Sequence, residues 1–167
     1  MALDREKSAN PASPEVEIRP ARTHDAEALS AIAFKAKAHW GYSAEALESW
    51  RRDLAVSADD IVSKRIFVAV AEGRIAGFYS FLPTERDWLL DHLWVLPEYM
   101  RLGIGRALVT HALETAARGG ASSVTVDADP NAETFYLACG AMRRGEVSAP
   151  IPGHTGRVRP QLEFRLN

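Results

Sequence analysis

The 167-residue sequence has one cysteine, Cys139, so an intrachain disulfide is excluded. That suits a reducing compartment, and a cytoplasmic location is expected. No apolar run approaches the roughly 20 residues that cross a bilayer, and the start lacks a basic stretch followed by an apolar core. Neither membrane insertion nor secretion is therefore expected. The formal net charge is −2, so the basic surplus of a general nucleic-acid binder is missing. There is no internal repeat and no low-complexity tract. His24, His39 and His111 show no metal-ligand spacing with carboxylates or Cys139, and no metal is expected. The P-loop's Gly-Lys-Ser/Thr tripeptide is absent, and the third glycine of the dinucleotide fingerprint is replaced by Leu108. A nucleotide-binding protein is thereby disfavoured.

What is present is one organised stretch, Leu89 to Ala117. Leu89 to Leu96 is bulky and apolar, as a buried strand should be, and Pro97 stops it. Ala107, Leu108, Ala112, Leu113 and Ala116 recur at helical spacing. Between strand and helix lies Arg101-Leu102-Gly103-Ile104-Gly105-Arg106. A helix start leaves N–H groups unpaired at the positive end of the macrodipole, and glycines let a phosphate approach them. The hexapeptide is a candidate pyrophosphate cradle, against the alternative of a plain tight connection.

The remaining pattern is read in chain order. Residues 1–14 are polar and proline-containing and are expected to be a flexible tail before one domain, 15–167. A strand is expected at 15–19, then a helix capped by Thr23 or Asp25 with Ala28, Leu29, Ile32 and Ala36 on its buried face. A second helix should run from Ser43 to Leu54, with His39, Trp40 and Tyr42 on the connector. Asp59-Asp60 is read as a loop. A hairpin follows, 66–71 and 75–82, turning at Glu72-Gly73-Arg74, with a turn at 83–87 before the central strand. After the long helix come a strand at 122–128, a short helix at 131–139 ended by Gly140, and strands at 141–147 and 161–166. Antiparallel hairpins followed by a strand-helix-strand crossover imply an α/β fold: a mixed, mainly antiparallel central sheet with helices on both faces.

Two motifs carry a resemblance. Leu93-Trp94-Val95-Leu96-Pro97-Glu98-Tyr99 followed by Gly103-Ile104-Gly105 resembles the acyl-CoA-binding motif of the GNAT-type N-acetyltransferase superfamily. Met100 stands where that family has Gln or Arg, with Arg101 next to it. Pro130-Asn131-Ala132-Glu133-Thr134-Phe135-Tyr136, with Gly140, resembles the family's second conserved block, with Ala141 in place of Phe. The resemblance spans about residues 15–166 and implies the GNAT, or acyl-CoA N-acyltransferase, fold with acetyl-CoA as co-substrate.

It further implies acetyl transfer to a primary amine by direct attack in a ternary complex. The pantetheine arm would pair with backbone around Leu93, Trp94 and Val95, in a gap beside the central strand. The Val95 N–H would polarise the thioester, and Tyr136 would protonate the departing sulfur. Asn131 and Phe135 would help hold the cofactor. The base is left open among His92, Asp91, Asp127 and a water chain; Asp91 and His92, as strand neighbours, are expected to point to opposite faces. His39 to Tyr42 and Ala149 to Arg157, including His154, are expected to shape the acceptor pocket. The acceptor, a small-molecule or protein amine, is left unspecified, and a homodimer is allowed. The competing reading is a non-catalytic acyl-CoA-binding sensor or scaffold module.

Overall fold

Period-two apolar patterning builds a seven-stranded sheet in the computed structural model, which describes residues 13–82, 84 and 88–167. The expected tail lies almost wholly outside the described residues, as does the expected turn at 83–87 apart from Thr84. Strand β1 (Val16–Pro20) pairs antiparallel with β2 (Arg65–Ala71), β2 with β3 (Arg74–Leu82), and β3 with β4 (Trp88–Val95). Strand β4 pairs in parallel with β5 (Ser123–Asp127), which pairs antiparallel with β7 (Val158–Arg165). The edge strand β6 (Met142–Ser148) closes the order β1-β2-β3-β4-β5-β7-β6. One parallel step in a mainly antiparallel sheet is the expected architecture. β7 starts at Val158, earlier than expected, because its first residues pair with Ser148 and Val147.

Among the described residues, six α-helices accompany the sheet, besides three short 3-10 turns: α1 (Ala26–Ala38), α2 (Ala44–Ser49), α3 (Arg51–Leu54), α4 (Ala58–Ser63), α5 (Ile104–Arg118) and α6 (Glu133–Ala138). Helix α1 buries Leu29, Ile32, Ala33 and Ala36, an i, i+3, i+4, i+7 stripe. Ala28, expected on that face, is exposed because it lies one step off the stripe. The helix expected from Ser43 to Leu54 is broken at Trp50, whose ring turns inward against Tyr42. Ser43 caps it as expected, accepting from the Ala46 N–H.

The loop expected at Asp59-Asp60 is instead helix α4. Ser57 Oγ accepts from the Asp60 N–H at 3.0 Å, and the Asp60 carboxylate accepts from the Ser57 N–H at 2.8 Å. This reciprocal capping box satisfies two donors at the helix start and outweighs the poor helix propensity of the aspartates.

The middle of the sheet has two faces. Tyr79 meets His111 of α5 at 2.9 Å, and a Cβ on Gly77 would lie 3.3 Å from Leu108 of α5. Ala76, Phe78 and Ser80 therefore face away from α5, toward the side where α1 packs on β3 and β4. The core contains Leu29, Phe78, Tyr79, Leu108, Val124 and Leu162, all buried. Among the described residues, no helix is long and apolar enough to cross a membrane.

Candidate active site

The parallel pairing of β4 with β5 is short. It joins Trp88, Leu89 and Leu90 to Val124, Thr125 and Val126 and stops there. β4 continues to Val95, paired from His92 onward only to β3. Leu96 N–H donates to Ala76 O on β3 at 2.8 Å. Backbone direction alternates along a strand, so the N–H groups of Trp94 and His92 also face β3. Those of Leu93 and Val95 face the gap left by β5. Unpaired strand backbone beside such a gap can accept a new extended partner.

At the end of the gap lies the expected cradle. Gly103 has φ of 84° and caps α5, and Arg101 has φ of 63°. Successive N–H groups in such a turn form a concave donor array. Among the described residues, no backbone acceptor takes the N–H groups of Arg101 through Arg106, and no side chain caps α5. Gly105 has a different reason to lack a side chain: its Cβ would lie 3.1 Å from the Phe135 ring. Phe135 thus packs α6 onto the start of α5. Arg106 Nη2 donates to Ala138 O at 3.3 Å, joining the same two helices.

The central strand is not regular, and this corrects one expectation. The register runs Ser80 to His92 and then Phe81 to Leu90, leaving Asp91 unmatched in a β-bulge. Trp88 lies edge-on to Phe81 and close to Gly119, on the α5 side of the sheet. Beyond the bulge, the His92 ring lies by Phe78 on the other side. The extra residue removes simple alternation, so Asp91 and His92 do not diverge: Asp91 Oδ2 is 3.7 Å from His92 Nε2. Lys64 Nζ is 3.8 Å from Asp91 Oδ2 and 3.2 Å from Asp60 Oδ1.

The Trp94 indole N–H donates to His92 Nδ1 at 2.9 Å. Indole can only donate, so Nδ1 accepts and the neutral ring carries its proton on Nε2, beside Asp91. Burial pulls the His92 pKa below the ordinary imidazole value, more than Asp91 restores it. The ring is therefore neutral at pH 7 with its lone pair already engaged.

Tyr136 is buried on α6, edge-on to Phe135 and Phe164. Burial pushes its phenol pKa well up, which keeps it protonated and able to donate. Asp127, at the end of β5, is held by Arg159 at 3.0 Å and by Gln161 at 2.9 Å. His154 sits exposed in the tight turn before β7, bridged through its backbone to Ile151. His39 and the half-exposed Trp40 meet edge-on at 5.6 Å. Burial raises the Cys139 thiol, so that cysteine is no ready nucleophile.

Beyond the parting of β4 and β5 lies a cluster that sequence reading did not assemble. Asp129, three residues past the last β4 pairing, is at its centre. Lys37 Nζ of α1 donates to Asp129 Oδ2 at 2.5 Å, and the Tyr42 hydroxyl to the same oxygen at 2.9 Å. The Asn131 N–H and side-chain amide each donate to Oδ1 at 2.9 Å. Asn131 Nδ2 also reaches Tyr42 Oη at 3.1 Å, so the amide expected to hold cofactor is committed to this cluster. Arg157 Nη2, from the segment before β7, donates to Tyr42 Oη at 3.3 Å and lies 3.6 Å from Asp129 Oδ2. The Trp50 ring lies under Lys37 at 4.2 Å.

Burial pushes the Asp129 carboxyl up, but its bonds from Lys37 and Asn131 outweigh that and hold it below the usual range. Lys37 has no local signal, and Arg157 entered only as the end of the 149–157 segment expected to shape the acceptor pocket. Asp129 has a local signal, but it reads as the opening of a short helix, where its side chain does cap Asn131. Among the described residues, no group of three His, Cys, Asp or Glu side chains could hold a metal.

Comparison with known proteins bears on the family and the fold. Residues 63–140 match the model of the acetyltransferase (GNAT) domain. The fold is similar to the PaiA N-acetyltransferase of Thermoplasma acidophilum solved with coenzyme A, at 21% identity over 91% of this chain and 99% of that one, with a TM-score of 0.75. A GCN5-related N-acetyltransferase from Rhodopseudomonas palustris is 26% identical over 92% and 96% of the two chains, also at 0.75. The ribosomal-protein-S18-alanine N-acetyltransferase of Escherichia coli is 17% identical over 90% and 94%, at 0.69. No curated protein sequence matches.

Proposed function

We propose that the chain is a GNAT acetyltransferase, as the match of residues 63–140 supports, and that it moves an acetyl group from acetyl-CoA to a primary amine within a ternary complex. The observation that carries this reading is the parting of β4 from β5 after Leu90 and Val126, beside the uncapped turn at 101–106. The two features supply separate contacts. The N–H groups of 101–106 bind the pyrophosphate, with Arg101 adding charge. The gap-facing backbone of Leu93 and Val95 pairs with the amides of the pantetheine arm.

The chemistry then falls to few groups. The Val95 N–H, fixed by the strand, donates to the thioester oxygen as negative charge develops there. The amine nitrogen forms the new C–N bond as the C–S bond breaks. Tyr136 donates its proton to the departing sulfur and is reprotonated by the proton the amine gives up. A thiol has a pKa of about 8.5, so the sulfur is a good leaving group.

The amine must first be neutral, and an alkyl ammonium has a pKa of about 10. His92 is badly placed to accept that proton directly, because Trp94 occupies its only lone pair. Asp127 is turned to Arg159 and Gln161. The proton therefore leaves through water, with Asp91 and His92 as a polar outlet in the gap. His39, Trp40, Tyr42 and His154 lie on the segments that border the acceptor.

The test is an amine panel with acetyl-CoA, read by free thiol, beside a calorimetric titration with coenzyme A. Thiol release with an acetylated amine in the mass spectrum is expected. Coenzyme A binding without release on any amine would make the chain a binding module instead.

A further inference from the structure

Two buried cations share one carboxylate just past the parted strands. Lys37 has a direct bond to Asp129; Arg157 does not. Oxygens Oδ1 and Oδ2 of Asp129 already accept from Lys37, Tyr42 and Asn131. The hydrogen bonds of Arg157 go to neutral oxygens, Ala149 O at 3.1 Å and Tyr42 Oη at 3.3 Å. Its Nε is buried without a partner, and the side chain is only 8% exposed.

The next cation cannot be blamed on the same acid, because Arg159 has Asp127 at 3.0 Å. The Tyr42 and Trp50 rings, 5.5 and 5.4 Å from the guanidinium, offer only their quadrupoles. The surplus shows in its neighbour: burial, then the charges of Arg157 and Arg159, pull the Lys37 ammonium down despite Asp129. Lys37 and Arg157 thus share one carboxylate and leave a net positive charge buried, which is costly unless another acceptor meets it.

We propose that the acetyl acceptor is an amine carrying a carboxylate, and that this carboxylate completes the bonding of Arg157. The guanidinium is a rigid fork suited to a carboxylate, yet here its hydrogen bonds go to neutral oxygens and Asp129 stands off at 3.6 Å. Lys37 stands beside it as a second positive charge. The cluster lies three residues beyond the last β4–β5 pair, so a small amino acid can place its amine at the gap and its carboxylate at Arg157. The proposal rests on the acetyl-transfer reading above. It adds no reactive step: the amine attacks and the thiol departs as described there.

The experiment compares acids with their carboxamides. Aspartate, glutamate, a series of neutral α-amino acids, β-alanine and γ-aminobutyrate are each assayed against the corresponding amide, by thiol release. At least one acid is expected to exceed its amide tenfold or more in kcat/KM, mainly through KM. This ratio needs no variant. In Arg157→Gln the acid should lose at least tenfold more than the amide, and Arg157→Lys should recover part of the loss. A thermal melt shows whether each variant is folded. Amides used as well as acids, or a ratio unmoved in a folded Arg157→Gln, overturns this proposal and leaves acetyl transfer standing. Thiol release with neither class, while coenzyme A binds, overturns the transfer reading and this proposal with it.

Discussion

The two halves of the site are built from different materials. The 93–106 side is made of backbone: strand N–H groups facing a gap and a turn whose donors stay open. The Asp129 side is made of side chains brought from α1, its following connector, the β5–α6 junction and the segment before β7. On the function proposed above, the backbone donors would bind what every acyl-CoA shares and the side chains would meet the acceptor. Away from Gly103 and Gly105 the first half can change side chains with little loss; the second cannot.

The largest effect that would test this contrast is on stability. Asp129→Ala leaves Lys37 and Arg157 buried against no carboxylate, and losing one partner of a buried pair costs about 3–5 kcal/mol. A melting temperature lower by on the order of 10 °C is expected. A fall of only a degree or two would mean the cluster is not a structural bolt. Tyr136→Phe should act on turnover instead, lowering kcat by on the order of 100-fold with coenzyme A affinity kept, as for loss of a proton donor. Unchanged kcat would remove Tyr136 from that role.

Gly103→Val sharpens the comparison from the backbone side. Apart from its chain neighbours, nothing described lies within 4 Å of the new Cβ, so the substitution disturbs no packed side chain. A weakening for coenzyme A of at least about tenfold is expected, with about 1–3 kcal/mol of strain from a branched residue at φ of 84°. Normal affinity in the folded variant would place the pyrophosphate elsewhere.

Acid should act on the side-chain half through Asp129, and on stability elsewhere through Asp25 and Asp60. For Asp129 burial raises the carboxyl pKa but Lys37 wins; for Asp25 burial is likewise outweighed by Arg19; for Asp60 the Ser57 N–H leads. All three lie below the ordinary carboxylate value when folded, so the unfolded chain binds protons more readily. Their stabilisation is complete above about pH 4 and is lost as pH falls through the depressed folded values. Urea midpoints between pH 7 and 3 should show that decline, and Asp129→Asn should flatten part of it. The smallest effect is a control outside both halves: Glu48→Gln, in an exposed pair with Arg51, should change stability by less than about 0.5 kcal/mol.

Legibility in the sequence followed the same divide. The Leu89–Ala117 stretch declares itself because strand, turn and helix are contiguous, and their glycines have local reasons. The hairpin at Glu72-Gly73 is equally local, with Gly73 at φ of 74°. Lys37 and Asp129 are 92 residues apart, and Tyr42 and Arg157 are 115 apart. No period or spacing links them; only the folded sheet does. Helix α4 was hidden for a smaller reason, since two adjacent aspartates resemble a loop unless Ser57 is read as their partner. The bulge at Asp91 was hidden because one unmatched residue leaves composition untouched.

That bulge makes β4 a strand of two phases. Ahead of Asp91 the even-numbered side chains serve one layer, and after it they serve the other. Without that residue, Phe81–Leu90 and Ser80–His92 would become consecutive pairs, Leu90 and His92 would alternate as in any regular strand, and His92 and Trp94 would keep the face they have. The strand therefore has one residue to spare: deleting Asp91 should be tolerated better than deleting a paired neighbour such as Leu93, which would carry Trp94 to the opposite face.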